Sequence, residues 1–126
     1  MRENIVVEKS EDFAVRIVKL YKLLQSERKE FIMSKQLIRC GTSIGANIAE
    51  AQEAQSDTDF IAKLYISLKE CSETLYWLRL LCRTGYLSEN EYSSVQNDAS
   101  ELKALLTAII KSKKTKLEKM NLEFKV

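Results

Sequence analysis

Ser34-Lys35-Gln36-Leu37-Ile38-Arg39-Cys40-Gly41-Thr42-Ser43-Ile44-Gly45-Ala46-Asn47-Ile48-Ala49-Glu50-Ala51 is the stretch around which the rest of the chain is organised. Wound as an α-helix, it lines up Leu37, Cys40, Ile44, Ile48 and Ala51 on one stripe and sets Arg39, Ser43 and Glu50 roughly opposite, with Asn47 at the stripe's edge. Ile38, Gly45 and Ala49 form a third, small-residue strip. A surface helix usually shows a single apolar stripe, so this pattern predicts a central helix touching several neighbours. Gly41 and Gly45, four residues apart, share a face on which another backbone can come close. That close packing occurs either inside one subunit or between copies of the chain. The width of the apolar arc, more than three partner helices easily cover, is the argument for copies clasping one another.

Working outward, the chain has 126 residues, no proline, and only one glycine, Gly85, outside the central stretch. So few breakers, with 30% of residues charged, predict long amphipathic helices and an all-α, up-down-up-down antiparallel four-helix bundle in a single domain spanning 1–126. No uncharged run approaches the ~20 residues of a membrane span, and the start lacks the apolar core of a signal peptide, so the expected location is cytoplasmic with no membrane partner.

Residues 1–9 read as a loosely ordered arm. Ser10 is the expected N-cap of a first helix over about 10–26, with Phe13, Ile17, Leu20, Tyr21 and Leu24 on its stripe. Residues 25–33 are a connection or an extension of that helix. Ser34 is the expected cap of the second helix, about 34–54. Ser56 and Asp59 resemble a capping box at the head of a third helix, about 57–83. Its expected seam is Phe60, Leu64, Leu68, Cys71, Leu75, Leu78 and Cys82, with Gly85 as left-handed C-cap. Ser88-Glu89-Asn90-Glu91 is a full capping box opening a fourth helix, about 88–116, with the stripe Tyr92, Val95, Ala99, Leu102, Leu106 and Ile109. The tail, 117–126, is helical or frayed, and the expectation is loose order.

Histidine is absent, which removes His-based acid–base chemistry, His-ligated metals and most nucleophile–base pairs. Cys40, Cys71 and Cys82 have no metal-ligand spacing and read as small core residues. No phosphate loop or di-iron motif is present, and Asp57 and Asp59 sit where capping explains them. The expectation is a protein that is not an enzyme, with no cofactor and no metal.

Net charge is only +2 but unevenly spread. Residues 111–126 carry six lysines against two glutamates, residues 16–39 seven cations against two acids, and residues 50–73 six acids against two lysines. Lys111, Lys113, Lys114 and Lys116 are candidate nucleic-acid contacts, or else a solvated helix end complementing the C-terminal dipole. With no aromatic interleaved among them, such binding would be electrostatic and salt-sensitive. Ile66, Tyr76, Trp77 and Leu81 lie off the seam of the third helix and form a candidate subunit interface, the alternative being that Trp77 covers the end of the monomer core. Asn47, beside a core stripe, needs a hydrogen-bond partner and is a candidate for fixing helix register. Arg39 and Glu50, about 16 Å apart along the axis, cannot pair with each other and are left for another helix, another subunit or solvent.

The central stretch resembles the signature of the small four-helix bundle proteins of the bacterial 23S rRNA intervening sequences, Gln-Leu-x-Arg-x-x-x-Ser-Ile-x-x-Asn-Ile-Ala-Glu-[Gly/Ala]. Gln36, Leu37, Arg39, Ser43, Ile44, Asn47, Ile48, Ala49, Glu50 and Ala51 match every fixed position, with Gly41 and Gly45 in the variable ones. Asp59-Phe60-Ile61, Cys71-Ser72-Glu73 with Leu75, and Gly85-Tyr86-Leu87 extend the resemblance over most of 10–115. It implies a homo-oligomeric, pentameric bundle without enzymatic activity and of unknown function. A related group, accessory proteins of diversity-generating retroelements, forms basic pentameric barrels that bind nucleic acid and a reverse transcriptase. Two functions follow as expectations: a self-associating RNA- or DNA-associated adaptor, or a protein-binding or self-assembly scaffold with no nucleic-acid role.

Overall fold

A computed structural model describes residues 2–125, with side chains for 4–123. It contains four α-helices, α1 (Arg2–Ser26), α2 (Met33–Ala51), α3 (Asp57–Arg83) and α4 (Glu89–Lys125), and no strand among the described residues. Consecutive helices run antiparallel, as their contacts show. Gly41 lies against Ile17 and Gly45 against Ser10. The Ser67 hydroxyl donates to the Ile44 carbonyl (2.8 Å), and Cys71 Sγ donates to the Ala99 carbonyl (3.2 Å). Helix α4 returns to α1 through Lys9–Glu101 and Arg16–Asp98, and to the turn after α1 through Arg28–Glu91. This last seam is the least extensive of the four.

Helix α1 corrects the reading of the N-terminus. Residues 2–9 are its first turns, not an arm, while Met1 lies outside the described residues. The buried stripe is Val6, Ser10, Phe13, Ile17, Leu20 and Leu24, stepping by 4, 3, 4, 3 and 4. Ser10 is therefore an interior core position rather than a cap, its hydroxyl donating to the Val7 carbonyl at 2.9 Å. A serine in the stripe broke the apolar periodicity and made the helix look shorter.

Between α1 and α2, Lys29 takes a left-handed φ of 58° and turns the chain. Glu30 then folds its carboxylate back onto the head of α2, where it accepts the N–H groups of Ile32 (3.1 Å), Met33 (2.9 Å) and Ser34 (2.7 Å). These are orphan donors of a helix N-terminus, and a carboxylate there also meets the positive end of the helix dipole. Ser34 is thus not the cap. It is fully buried in the first turn and donates its hydroxyl to the Glu30 carbonyl at 2.8 Å. At the other end α2 stops at Ala51, three residues short of the expected boundary.

Helix α3 spans the expected 57–83, capped by Ser56 Oγ on the Asp59 N–H at 3.0 Å. It closes in a Schellman motif, with Gly85 at φ 87°, its N–H on Cys82 and the Tyr86 N–H on Leu81. Its buried seam, however, is Ile61, Leu64, Ser67, Cys71, Thr74, Leu78 and Leu81. Leu64, Cys71 and Leu78 of the expected seam are buried, whereas Phe60, Leu68, Leu75 and Cys82 are half-buried flanks, so the seam is turned by about 30° around the helix. The reason is chemical. Ser67 and Thr74 occupy core positions because their hydroxyls bond into α2 and α3: Ser67 to the Ile44 carbonyl, and Thr74 to the Glu70 carbonyl (2.8 Å) and Cys40 Sγ (3.3 Å).

Helix α4 opens with the capping box, Ser88 Oγ taking the Glu91 N–H (3.1 Å) and Glu91 taking the Ser88 N–H (2.9 Å). It continues to Lys125 instead of fraying after 116, since Lys, Leu, Glu and Met favour helix and no glycine interrupts them. Val126 lies outside the described residues. No helix is long and apolar enough to cross a membrane among the described residues.

Candidate functional site

The central stretch divides sharply by side. Leu37, Cys40, Ile44 and Ile48 are completely buried. The glycine face packs against α1 of the same chain, the intrasubunit alternative of the two that the sequence left open. A Cβ on Gly41 would meet Ile17 Cγ2 at 2.9 Å, and one on Gly45 would meet the Ser10 carbonyl oxygen at 3.2 Å. Helix α1 buries Gly41 and half-covers Gly45, while Ala49 on the same strip stays exposed.

The polar motif positions point outward instead. Gln36 and Glu50 are exposed, and Ser43 and Asn47 are half-buried. Asn47 Nδ2 donates to the Ser43 carbonyl (2.8 Å) and Ser43 Oγ to the Arg39 carbonyl (2.6 Å), so these two bonds stay within α2 and set no register between helices. Arg39 reaches α3, its guanidinium donating to Glu70 (3.4 Å) and, through a short contact, to Glu73. Glu73 also accepts the Trp77 indole N–H at 3.2 Å. Burial alone would push the Glu73 carboxyl up, but the Trp77 and Arg39 bonds hold it below the ordinary carboxylate range. Tyr76 stands edge-on to Trp77, centroids 5.0 Å apart at 77°, with Arg79 5.9 Å from the Tyr76 centroid. Ile66 and Tyr76 are exposed beside this cluster. Leu81, named with them from sequence, is fully buried: the turned seam of α3 puts it in the core.

A second surface lies between the first half of α3 and the last third of α4. Lys113 pairs with Asp57 (3.8 Å) and lies 5.2 Å from the Phe60 centroid. Lys114 Nζ donates to Tyr65 Oη (3.2 Å) and stands 5.6 Å from that ring's centroid. Lys111, Lys116 and Lys119 are exposed. The lysines do have aromatic company, supplied across the groove by α3; the linear pattern of α4 alone could not reveal it. The candidate lysines thus fall into a pair seated on α3 and a set facing solvent.

Cys40 and Cys71 are fully buried, and desolvation raises both thiols to about 11. Cys82 is half-buried and also raised, chiefly by desolvation. Among the described residues no group of three or more Cys, Asp or Glu side chains is placed to hold a metal.

An all-α chain with a small-residue central helix and outward Gln, Arg, Ser, Asn and Glu defines a narrow class of bundle protein. The model of the 23S rRNA-intervening sequence protein family matches residues 2–108, and the chain belongs to that family. Among solved structures it is similar to a protein of unknown function from the S23 ribosomal protein family of Bacteroides thetaiotaomicron. The two are 59% identical, with a TM-score of 0.87 over 88% of this chain and 99% of the other. No curated protein matches the chain.

Proposed function

We propose that this protein is a non-enzymatic, self-associating bundle of the bacterial cytoplasm that acts as an RNA- or DNA-associated adaptor. The observation that carries this reading is the last third of α4, a continuous helix exposing Lys111, Lys116 and Lys119 beside the α3-seated Lys113 and Lys114. A lysine row on a rigid helix presents fixed positive charge to a phosphate backbone. The neighbouring structure's name, from a ribosomal protein family, supports the same direction. Self-association, as the pentamer that the family resemblance implies, would multiply a weak single-site charge.

Titrating labelled RNA at about 50 and 200 mM salt tests the reading, because phosphate contacts give a steep salt dependence. Wild-type protein is expected to bind at the lower salt, and a Lys111→Gln/Lys116→Gln variant to bind several-fold more weakly with a shallower salt slope. Failure to bind at low salt overturns the adaptor. Light scattering tests assembly against the 14.5 kDa chain mass.

The second reading, a protein-binding scaffold, is favoured by the α2–α3 face. There exposed Ile66 and Tyr76 flank the Arg39–Glu73–Trp77 cluster, the aromatic and arginine composition of interface centres. A multimer that binds no nucleic acid and dissociates on Tyr76→Glu substitution would favour it.

A further inference from the structure

We propose that the α3–α4 groove takes nucleic acid as a single strand, one base stacking on Tyr65 while neighbouring phosphates meet Lys111 and Lys114. This rests on the adaptor reading and names the strand form that reading leaves open. The groove consists of two cavities of about 310 and 240 Å³ that adjoin at Lys114 and Glu118, which line both. Leu68 and Ile110 contribute apolar lining to the first, and Ile61 and Leu117 to the second. Tyr65, 41% exposed, lines the first cavity.

A nucleobase has two apolar faces and a polar edge. In a duplex both faces are covered by neighbouring bases, so an aromatic side chain beside a row of lysines has nothing to stack on. In a single strand the faces are open, and stacking on Tyr, Phe or Trp is the usual source of affinity. Tyr65 and Lys114 supply both halves of such a contact at one point. The ammonium is held at the ring by its bond to Tyr65 Oη, which uses one of its three hydrogens and leaves two for phosphate oxygens. Lys111, one turn earlier on α4, lines the same cavity. Glu118 at the shared wall repels phosphate but accepts an N–H from a base edge, such as the N3–H of uracil, which favours base inward and backbone outward. Thr107 in the first cavity and Asn121 in the second add side-chain hydrogen-bonding groups for base edges.

The test uses the full chain and fluorescence anisotropy with a labelled oligouridine of about 15 nucleotides and an RNA duplex of similar length, at two salt concentrations. The expected result is single-strand binding at least about tenfold tighter than duplex binding. Tyr65→Ala should weaken the single strand by about tenfold with its salt slope unchanged, while Tyr65→Phe stays near wild type. Lys114→Gln should flatten the salt slope by about 0.7. Equal affinity for duplex and single strand, or indifference of single-strand binding to Tyr65→Ala in a variant with wild-type circular dichroism, overturns the strand assignment while leaving the adaptor standing. No binding of either probe overturns both.

Discussion

Arg28 and Glu91, 63 residues apart in sequence, form a two-pronged ion pair in which both terminal guanidinium nitrogens donate to the carboxylate, at 2.8 and 2.6 Å. The pair ties the turn after α1 to the first turn of α4. Arg28 also donates to the Tyr86 carbonyl at 2.8 Å, so one side chain gathers both loops at that end of the bundle.

This arrangement makes acid stability depend on Glu91. The Arg28 bond, followed by the Ser88 N–H, lowers its carboxyl from the ordinary 4.5 to about 2. A carboxyl depressed on folding stabilises the protein fully above its unfolded value, and that contribution disappears as pH falls from about 4.5 toward about 2. The pair is about one-third exposed, so solvent screening limits its worth, and Glu91→Gln should cost about 1 kcal/mol at neutral pH. Urea unfolding at pH 7 and at low pH checks this: the gap between wild type and variant should shrink on acidification, and a gap of constant size would exclude the pair as its cause.

Glu30 predicts a larger effect from a buried group. Only 5% exposed, it serves three successive backbone donors at the head of α2. Burial raises its carboxyl, but the bonds from Ser34, Met33 and Ile32 outweigh that and leave it lowered. Glu30→Ala should destabilise by about 2 kcal/mol, combining a lost cap with orphaned amides. Glu30→Asp should recover little, because the shorter side chain falls back from the helix head. Thermal melts of the two variants distinguish a reach-dependent cap from mere loss of charge.

The glycines of α2 should respond differently to the same methyl group. Alanine gains about 1 kcal/mol of helix propensity at either site. At Gly41 the new methyl would press on Ile17, a β-branched side chain with no exposed surface, and overpacking there should win, for a net loss of about 1 kcal/mol. At Gly45 the nearest atom is the Ser10 carbonyl oxygen at 3.2 Å, a contact relieved by a few tenths of an ångström, and the two effects should nearly cancel. Denaturant midpoints that rank Gly45→Ala below Gly41→Ala would contradict this packing.

The thiols should react in a fixed order. Cys40 and Cys71 are fully buried with thiols near 11, while Cys82 is half-buried. Native protein at pH 8 should therefore label slowly at one cysteine, and denatured protein at three, read by mass after maleimide treatment. Rapid labelling of Cys40 would mean that α2 and α3 separate readily.

The sequence made the helix boundaries of α3 and the head of α4 legible because Ser56, Gly85 and Ser88 sit where cap chemistry expects them. It hid what depended on small hydroxyl side chains in the interior. Ser10, Ser34, Ser67 and Thr74 are all buried, and each interrupts an apolar period that in fact continues. That one effect shortened α1, misplaced the cap of α2 and turned the seam of α3, carrying Leu81 from core to surface. Glu30 escaped notice because cap rules look for short side chains next to the helix, not a long one folding back. The lysines of α4 were visible, but Tyr65 and Phe60 join them only through antiparallel packing across some fifty residues of chain.

The contact of α4 with α1 behaves unlike the other three. Lys9–Glu101, Arg16–Asp98 and Arg28–Glu91 fasten this smallest seam like buttons along a coat front, whereas the α2–α3 and α3–α4 joins, with ion pairs of their own at Arg39 and Lys113, have far more stitching in buried side chains. Buttons respond to ionic strength and stitching does not. As salt rises, the first and last helices should loosen before the middle pair, and amide exchange should report that gradient across the bundle.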